Sequence, residues 1–151
     1  MLLSLAHENN EADLLNSIKG VCFYSTPHFG SSLAKLSVKA PVANSIVSSE
    51  VRELSSASEQ LKELNDQFLS VARNTSIPIH SFIESVPIKV VGFNHLVVSK
   101  ESADLGLGAS TLVNENHINV NKPSSKSDIL YSQLVNFIVD NLHNSTDSVK
   151  K

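Results

Sequence analysis

Ser110-Thr-Leu-Val-Asn-Glu-Asn-His-Ile-Asn-Val-Asn-Lys-Pro123 is the stretch from which the fold of this chain can be read. A short apolar run, Ser110 to Val113, ends in a polar knot with His117 in its middle. A strand that stops and hands a side chain to the next loop is typical of an α/β sheet. In such sheets the chemistry gathers beyond the carboxyl ends of the strands. A lone histidine is more often a structural hydrogen-bonder. One delivered at a strand end is placed to act as a general base.

Other strand-like runs lie on either side of the long helical pattern. Gly20-Val-Cys-Phe-Tyr-Ser25 is compact and continuously apolar, which predicts a buried parallel strand. Thr26 to Ser32 is the loop beyond it, punctuated by Pro27 and Gly30. Val51, Leu54, Ala57, Leu61, Leu64, Phe68, Leu69 and Ala72 recur at intervals of three and four, the longest helical signal in the chain. Ser55, Ser56 or Ser58 is suited to cap a second helix within that pattern. Asn74 to Pro78 ends it. A strand is expected over Ile77–Ile83, with short extended pieces at Pro87–Val91 and Leu96–Val98. Ser127-Asp128 caps a last helix carrying Ile129, Leu130, Leu134, Phe137, Ile138 and Leu142. Met1–Glu8 reads as the end of a helix with no cap ahead of it, so the start looks cut. Asn144–Lys151 is a polar tail expected to be disordered. Strand and helix alternate over residues 1–143, which predicts an α/β domain around a parallel sheet.

Composition narrows the function classes. At 151 residues the chain suits one domain with a real core. Its charged fraction is 18%, its net charge −3, and it holds no basic block, which argues against a nucleic-acid partner. The single Cys22 excludes an internal disulfide and a cysteine-based zinc knuckle. No apolar run approaches the ~18 residues of a membrane span. Met1–Ala6 is apolar but lacks a basic flank, so a secretory signal is not expected. The histidines and carboxylates have no zinc-ligand spacing, and no cofactor is implied.

The string Thr26-Pro-His-Phe-Gly-Ser31 after a buried strand is of a kind found in lipases and esterases of the α/β-hydrolase fold. The whole stretch Gly20–Ala34 that contains it, with Val51-Arg-Glu-Leu-Ser55, Leu64-Asn-Asp-Gln-Phe68, Phe82-Ile-Glu-Ser85, Val97-Val-Ser-Lys-Glu-Ser-Ala-Asp-Leu-Gly106 and Asn116-His-Ile-Asn-Val-Asn-Lys-Pro123, gives the chain a resemblance. It resembles the C-terminal part of the serine active site-containing protein family, which is lipase-like and related to the GPI-inositol deacylases. The resemblance runs in order over roughly residues 1–143. It implies the C-terminal half of an α/β-hydrolase fold, truncated before the nucleophile strand. It also implies a serine triad, a lipid or other ester substrate, and a mitochondrial or endoplasmic reticulum membrane setting. Any membrane association would come through a missing N-terminal region.

Within that resemblance His117 is the candidate catalytic histidine. The chain order of such triads is serine, acid, histidine. Glu84, at the end of the Ile79–Ile83 run, and Asp104, in the Glu101–Gly106 loop, both precede His117. Glu84 is favoured, because that strand end is where such enzymes hold the acid. Asp104 stays open, its simpler role being a loop carboxylate that bonds nearby backbone N–H groups. His28 is expected near the site, anchoring a loop on the substrate side.

The nucleophile elbow, Gly-x-Ser-x-Gly, is absent from the sequence. The nearest string is Gly30-Ser-Ser-Leu-Ala34, whose Ser32 is separated from its strand by the Thr26–Ser31 loop, whereas an elbow serine sits on the strand-to-helix turn. The expectation is therefore a fragment of a serine ester hydrolase that carries the acid and the histidine but not the serine. The alternative is a non-catalytic pseudo-enzyme fragment, or a binding module that folds with a partner.

Overall fold

The computed structural model describes residues 15, 17–31, 59–90 and 92–147. The helix expected at Met1–Glu8, the Leu33–Ile46 stretch, Ser32 and the helical pattern before Glu59 lie outside the described residues. In chain order the elements are β1 (Val21–Tyr24), α1 (Glu59–Thr75), β2 (Ile79–Glu84), β3 (Ile88–Val90), β4 (Phe93–His95), α2 (Lys100–Ala103), β5 (Ala109–Val113) and α3 (Ile129–Asp147).

Three strands form one sheet in the order β1-β2-β5, with β2 in the centre and both pairings parallel. Tyr24 sits beside Phe82, and Glu84 beside Val113, so the carboxyl ends of all three strands reach one edge. Strands β3 and β4 make a separate antiparallel hairpin. The fold is α/β.

The pleat of β2 explains how the core divides. Alternate residues face opposite sides of a strand, and all six residues of β2 are buried. On one side Phe82 packs with Val113, Val120 and Leu130, with Cys22, Tyr24 and Leu134 around them. Tyr24 and His80 both stack on the Phe82 ring, and His80 meets Phe137 of α3 edge-on. On the other side Ile83 packs with Val97, Val98 and Ala103. Phe68 of α1 meets Phe23 of β1 edge-on. Helix α3 thus closes one face while α1 and the Val97–Ala103 segment close the other, the layering that parallel strands need. Strand β1 is only half-buried, not fully buried as its apolarity predicts, and among the described residues it has a strand neighbour on one side alone.

Local signals place several element ends. Asp128 Oδ1 accepts from the Leu130 N–H at 3.0 Å, and its Oδ2 accepts from the Ser124 N–H and hydroxyl, both at 2.8 Å. These bonds hold its carboxyl below the usual range and cap α3 where the sequence places the cap. Helix α1 ends at Thr75, and Ser76 follows with φ 51°, the left-handed turn that closes many helices. Two expectations shift. Residues 93–95, not 96–98, form the extended piece, because Phe93–His95 pairs with Ile88–Val90 and leaves Val97 and Val98 in a buried bend. Helix α3 also runs to Asp147, into the stretch expected to be a disordered tail. No proline or glycine interrupts Asn144–Asp147, so helical bonds propagate once α3 is nucleated.

The β2–β5 contact is close at its amino end. A Cβ on Gly108 would lie 2.9 Å from the Ile79 carbonyl carbon and closer still to its oxygen. Neither is the mobile tip of a side chain, so Gly108→Ala must push the two strands apart. The expected cost is about 1–3 kcal/mol, read as a lower denaturation midpoint. An unchanged midpoint would mean that the strands are not this close.

Candidate active site

The site lies at the carboxyl edge of the sheet, where β2 ends at Glu84 and β5 at Val113. Beyond Val113 the chain is tied back to β2. The Glu115 carbonyl accepts from the N–H groups of Ser85 and Val86, both at 3.1 Å, and the Ser85 hydroxyl donates to the Val113 carbonyl at 2.8 Å. Asn116 then folds the loop: its side-chain oxygen accepts from the N–H of Ile118 and Asn119, and its carbonyl accepts from Asn119 and Val120. This turn carries His117 back over the end of β2.

His117 Nδ1 lies 2.9 Å from Glu84 Oε2. The histidine side chain is 36% exposed and that of Glu84 is 0% exposed. The other carboxylate oxygen, Oε1, accepts from the Val98 N–H at 2.8 Å. A carboxylate at Oε2 calls for a proton on Nδ1, which leaves Nε2 as the basic nitrogen of a neutral ring. An acid with no contact to water thus holds a half-exposed imidazole in the tautomer a general base needs.

Two serines on the β1 side serve this arrangement. Ser25, the residue after β1, is buried with φ 40°. Its N–H donates to the Phe82 carbonyl, extending the sheet, and its hydroxyl accepts from the Glu84 N–H at 2.8 Å. A left-handed serine at the end of a buried strand is an unfavourable backbone state, of the kind functional sites retain. Ser31 is buried too, and its hydroxyl donates to the Val97 carbonyl at 2.8 Å.

Asp104 is not at the pair. It follows α2 and its Oδ1 accepts from the Gly106 N–H at 2.9 Å, the loop role open to it from sequence. His28 is 5% exposed. Its N–H donates to the carbonyls of Thr26 and Ser102, the Asn65 amide donates to its carbonyl, and its ring meets Phe23 edge-on. Ser102 completes the staple by donating to the Gly30 carbonyl at 2.6 Å and accepting from the Phe29 N–H. The Nε2 of His28 has no partner among the described residues. Burial lowers the pKa of His28, with Asn65 and the charge of Asp104 acting the other way, and burial lowers that of His80.

Those two histidines make stability depend on pH. Above about pH 6.5 the imidazole is neutral whether the chain is folded or not. Below it, the unfolded chain takes up a proton that the folded chain resists. Stability should therefore fall as the pH drops through about 6.5. Urea midpoints at several pH values check this, and His80→Asn should flatten the slope. A midpoint that rises on acidification would contradict the burial of both rings.

Sequence reasoning named Glu84, Asp104, His117 and His28; the structure brings Glu84 and His117 together and adds three groups that sequence reasoning missed. Val98 acts through its backbone, which leaves no trace in residue identity. Ser25 read as the end of the Gly20–Ser25 strand and Ser31 as a loop serine, and nothing in their spacing tied them to Glu84. A cavity of about 400 Å³ bordered by Arg73, Pro78 and Gly108 lies at the amino ends of β2 and β5, the opposite edge from His117. Among the described residues no cluster of three His, Cys, Asp or Glu is placed to hold a metal ion. No helix among the described residues is long and apolar enough to cross a membrane.

No protein-family model and no solved structure gives a significant match. Curated proteins do. The chain is 40% identical over 143 residues to Protein SERAC1 of Bos taurus, which takes in 94% of this chain and 22% of that protein. The human protein of the same name is 39% identical over 139 residues, and that of Danio rerio 38% over 143. The chain is thus similar along nearly all its length to Protein SERAC1 of several vertebrates, and spans about a fifth of the length of those relatives.

Proposed function

We propose that this chain carries the acid–base pair of a serine ester hydrolase acting on lipid or other ester bonds. The attacking serine belongs to polypeptide outside these 151 residues. One observation carries the reading: a fully buried Glu84 within 2.9 Å of the Nδ1 of a half-exposed His117. In this reading His117 Nε2 takes the serine proton as the serine oxygen attacks the ester carbonyl. The same nitrogen then gives the proton to the departing alcohol, and a water molecule repeats the sequence to release the acid. Glu84 keeps the proton on Nδ1 and stabilises the imidazolium that forms.

Among the described residues, Ser25 and Ser31 do not fill the remaining place. Ser25 and Ser31 are buried, and their hydroxyls are held by the Glu84 N–H and the Val97 carbonyl. His28 serves the substrate side through the loop it anchors. Membrane association through polypeptide beyond this chain, and a mitochondrial or endoplasmic reticulum setting, belong to the same proposal.

A fluorophosphonate probe tests the reading. The full-length protein should be labelled at one serine outside this stretch and should hydrolyse a short activated ester. The 151-residue chain alone should do neither. Stoichiometric labelling at Ser31 or Ser32 would move the nucleophile into this chain. No labelling and no turnover in the full-length protein would favour a non-catalytic module.

A further inference from the structure

The geometry points to Ser31 as a positioning residue for the acid–base pair, acting through the Val97–Val98 peptide. The inference rests on the acid–histidine reading above. Four groups lie in one chain of contacts. The Ser31 hydroxyl donates to the Val97 carbonyl at 2.8 Å. The Val98 N–H donates to Glu84 Oε1 at 2.8 Å. Glu84 Oε2 then meets His117 Nδ1 at 2.9 Å.

The middle link is a single peptide unit. The carbonyl of Val97 and the N–H of Val98 share one plane and point in opposite directions. A group that holds the oxygen therefore aims the N–H. Val97 and Val98 sit in a bend between β4 and α2, outside the ladders and helices of the described residues. Their side chains are buried with Ile83 and Ala103, which fixes the position of the segment. Side-chain packing does not fix the rotation of a peptide between two Cα atoms; the Ser31 hydroxyl, bonded to the Val97 carbonyl, restrains it. Ser31 is itself 2% exposed, and the Gly30 carbonyl before it is held by Ser102. Remove the hydroxyl, and the Val97 carbonyl loses a buried donor, which loosens the aim of the Val98 N–H at Glu84. The carboxylate then gains a rotational freedom that it passes to His117.

The alternative, a serine that only satisfies a buried carbonyl, gives a different result in a double-mutant cycle. The variants are Ser31→Ala, Glu84→Gln and the pair, made in the full-length protein and assayed with a short activated ester. Ser31→Ala should lower kcat about 10-fold while KM changes by less than about twofold, the signature of misplaced machinery. In the Glu84→Gln background the same change should cost less than about twofold. Amide exchange at Val98 should be about 10-fold faster in Ser31→Ala than in the parent. An equal loss in both backgrounds, a loss carried by KM, or unchanged exchange at Val98 would overturn the inference. Should Ser31→Ala not fold, Ser31→Cys, which nearly keeps the volume and weakens the donor, takes its place with the same outcomes. Should the parent prove inactive on esters and unreactive to fluorophosphonate, the hydrolase reading fails. Exchange at Val98 still decides whether Ser31 holds the peptide.

Discussion

His117→Ala in the full-length protein is expected to remove nearly all ester turnover, a loss of roughly 10⁴–10⁶ in kcat. Its size follows from the way such groups act as a unit: without a base the serine stays protonated, and the remaining machinery gains nothing from the acid behind it. The variant should fold. His117 is half-exposed on a surface turn, and that turn is held by Asn116 and by the Glu115 carbonyl bonded to Ser85 and Val86. KM should change little, because the imidazole meets the reacting proton and not the bulk of the substrate. Kinetics with a short activated ester, beside a thermal unfolding curve, check both halves of the statement. Retention of a tenth or more of kcat by a folded variant would sink the assignment of His117.

Glu84→Gln should follow with a loss of roughly 10⁴ in kcat, and the reason is the tautomer. Val98 presents an N–H to Oε1, so the amide of a glutamine must place its oxygen there. Its NH₂ then faces His117 Nδ1, where Oε2 now sits. A donor at that point forces Nδ1 to accept and moves the ring proton to Nε2. The imidazole then presents a proton where it should take one. The substitution nearly conserves volume, so the fold should survive. Asp104→Asn is the control. Its Oδ1 can still accept from the Gly106 N–H, and it lies outside the pair, so kcat should fall by less than about 10-fold. If Asp104→Asn proves the more damaging change, the acid has been assigned wrongly.

Much of the fold was legible because its signals are local. The apolar run at Val21–Tyr24 and the period of Leu61, Phe68 and Ala72 announce their elements without help from distant residues. So does the Asp128 cap, whose bonds reach no further than four residues along the chain. A strand ending before His117 was equally readable. The choice between Glu84 and Asp104 leaned to Glu84 through the resemblance but was not fixed by the residues, because each is a carboxylate at an element end upstream of the histidine. Distance in space separates them: parallel pairing of β2 with β5 brings Glu84 beside Val113, four residues before His117. Asp104, though nearer in sequence, is spent on its own loop.

What the sequence determined by itself was the α/β alternation and the presence of a histidine at a strand end. Tertiary structure alone decided which acid meets it and what steadies that acid. Those contacts join residues 33, 59, 66 and 14 apart in the chain, and the last of them runs through the backbone N–H of Val98. A backbone donor is present at every residue but proline, so only its position, set by the packing of Val97 and Val98 against Ile83, makes it part of a site.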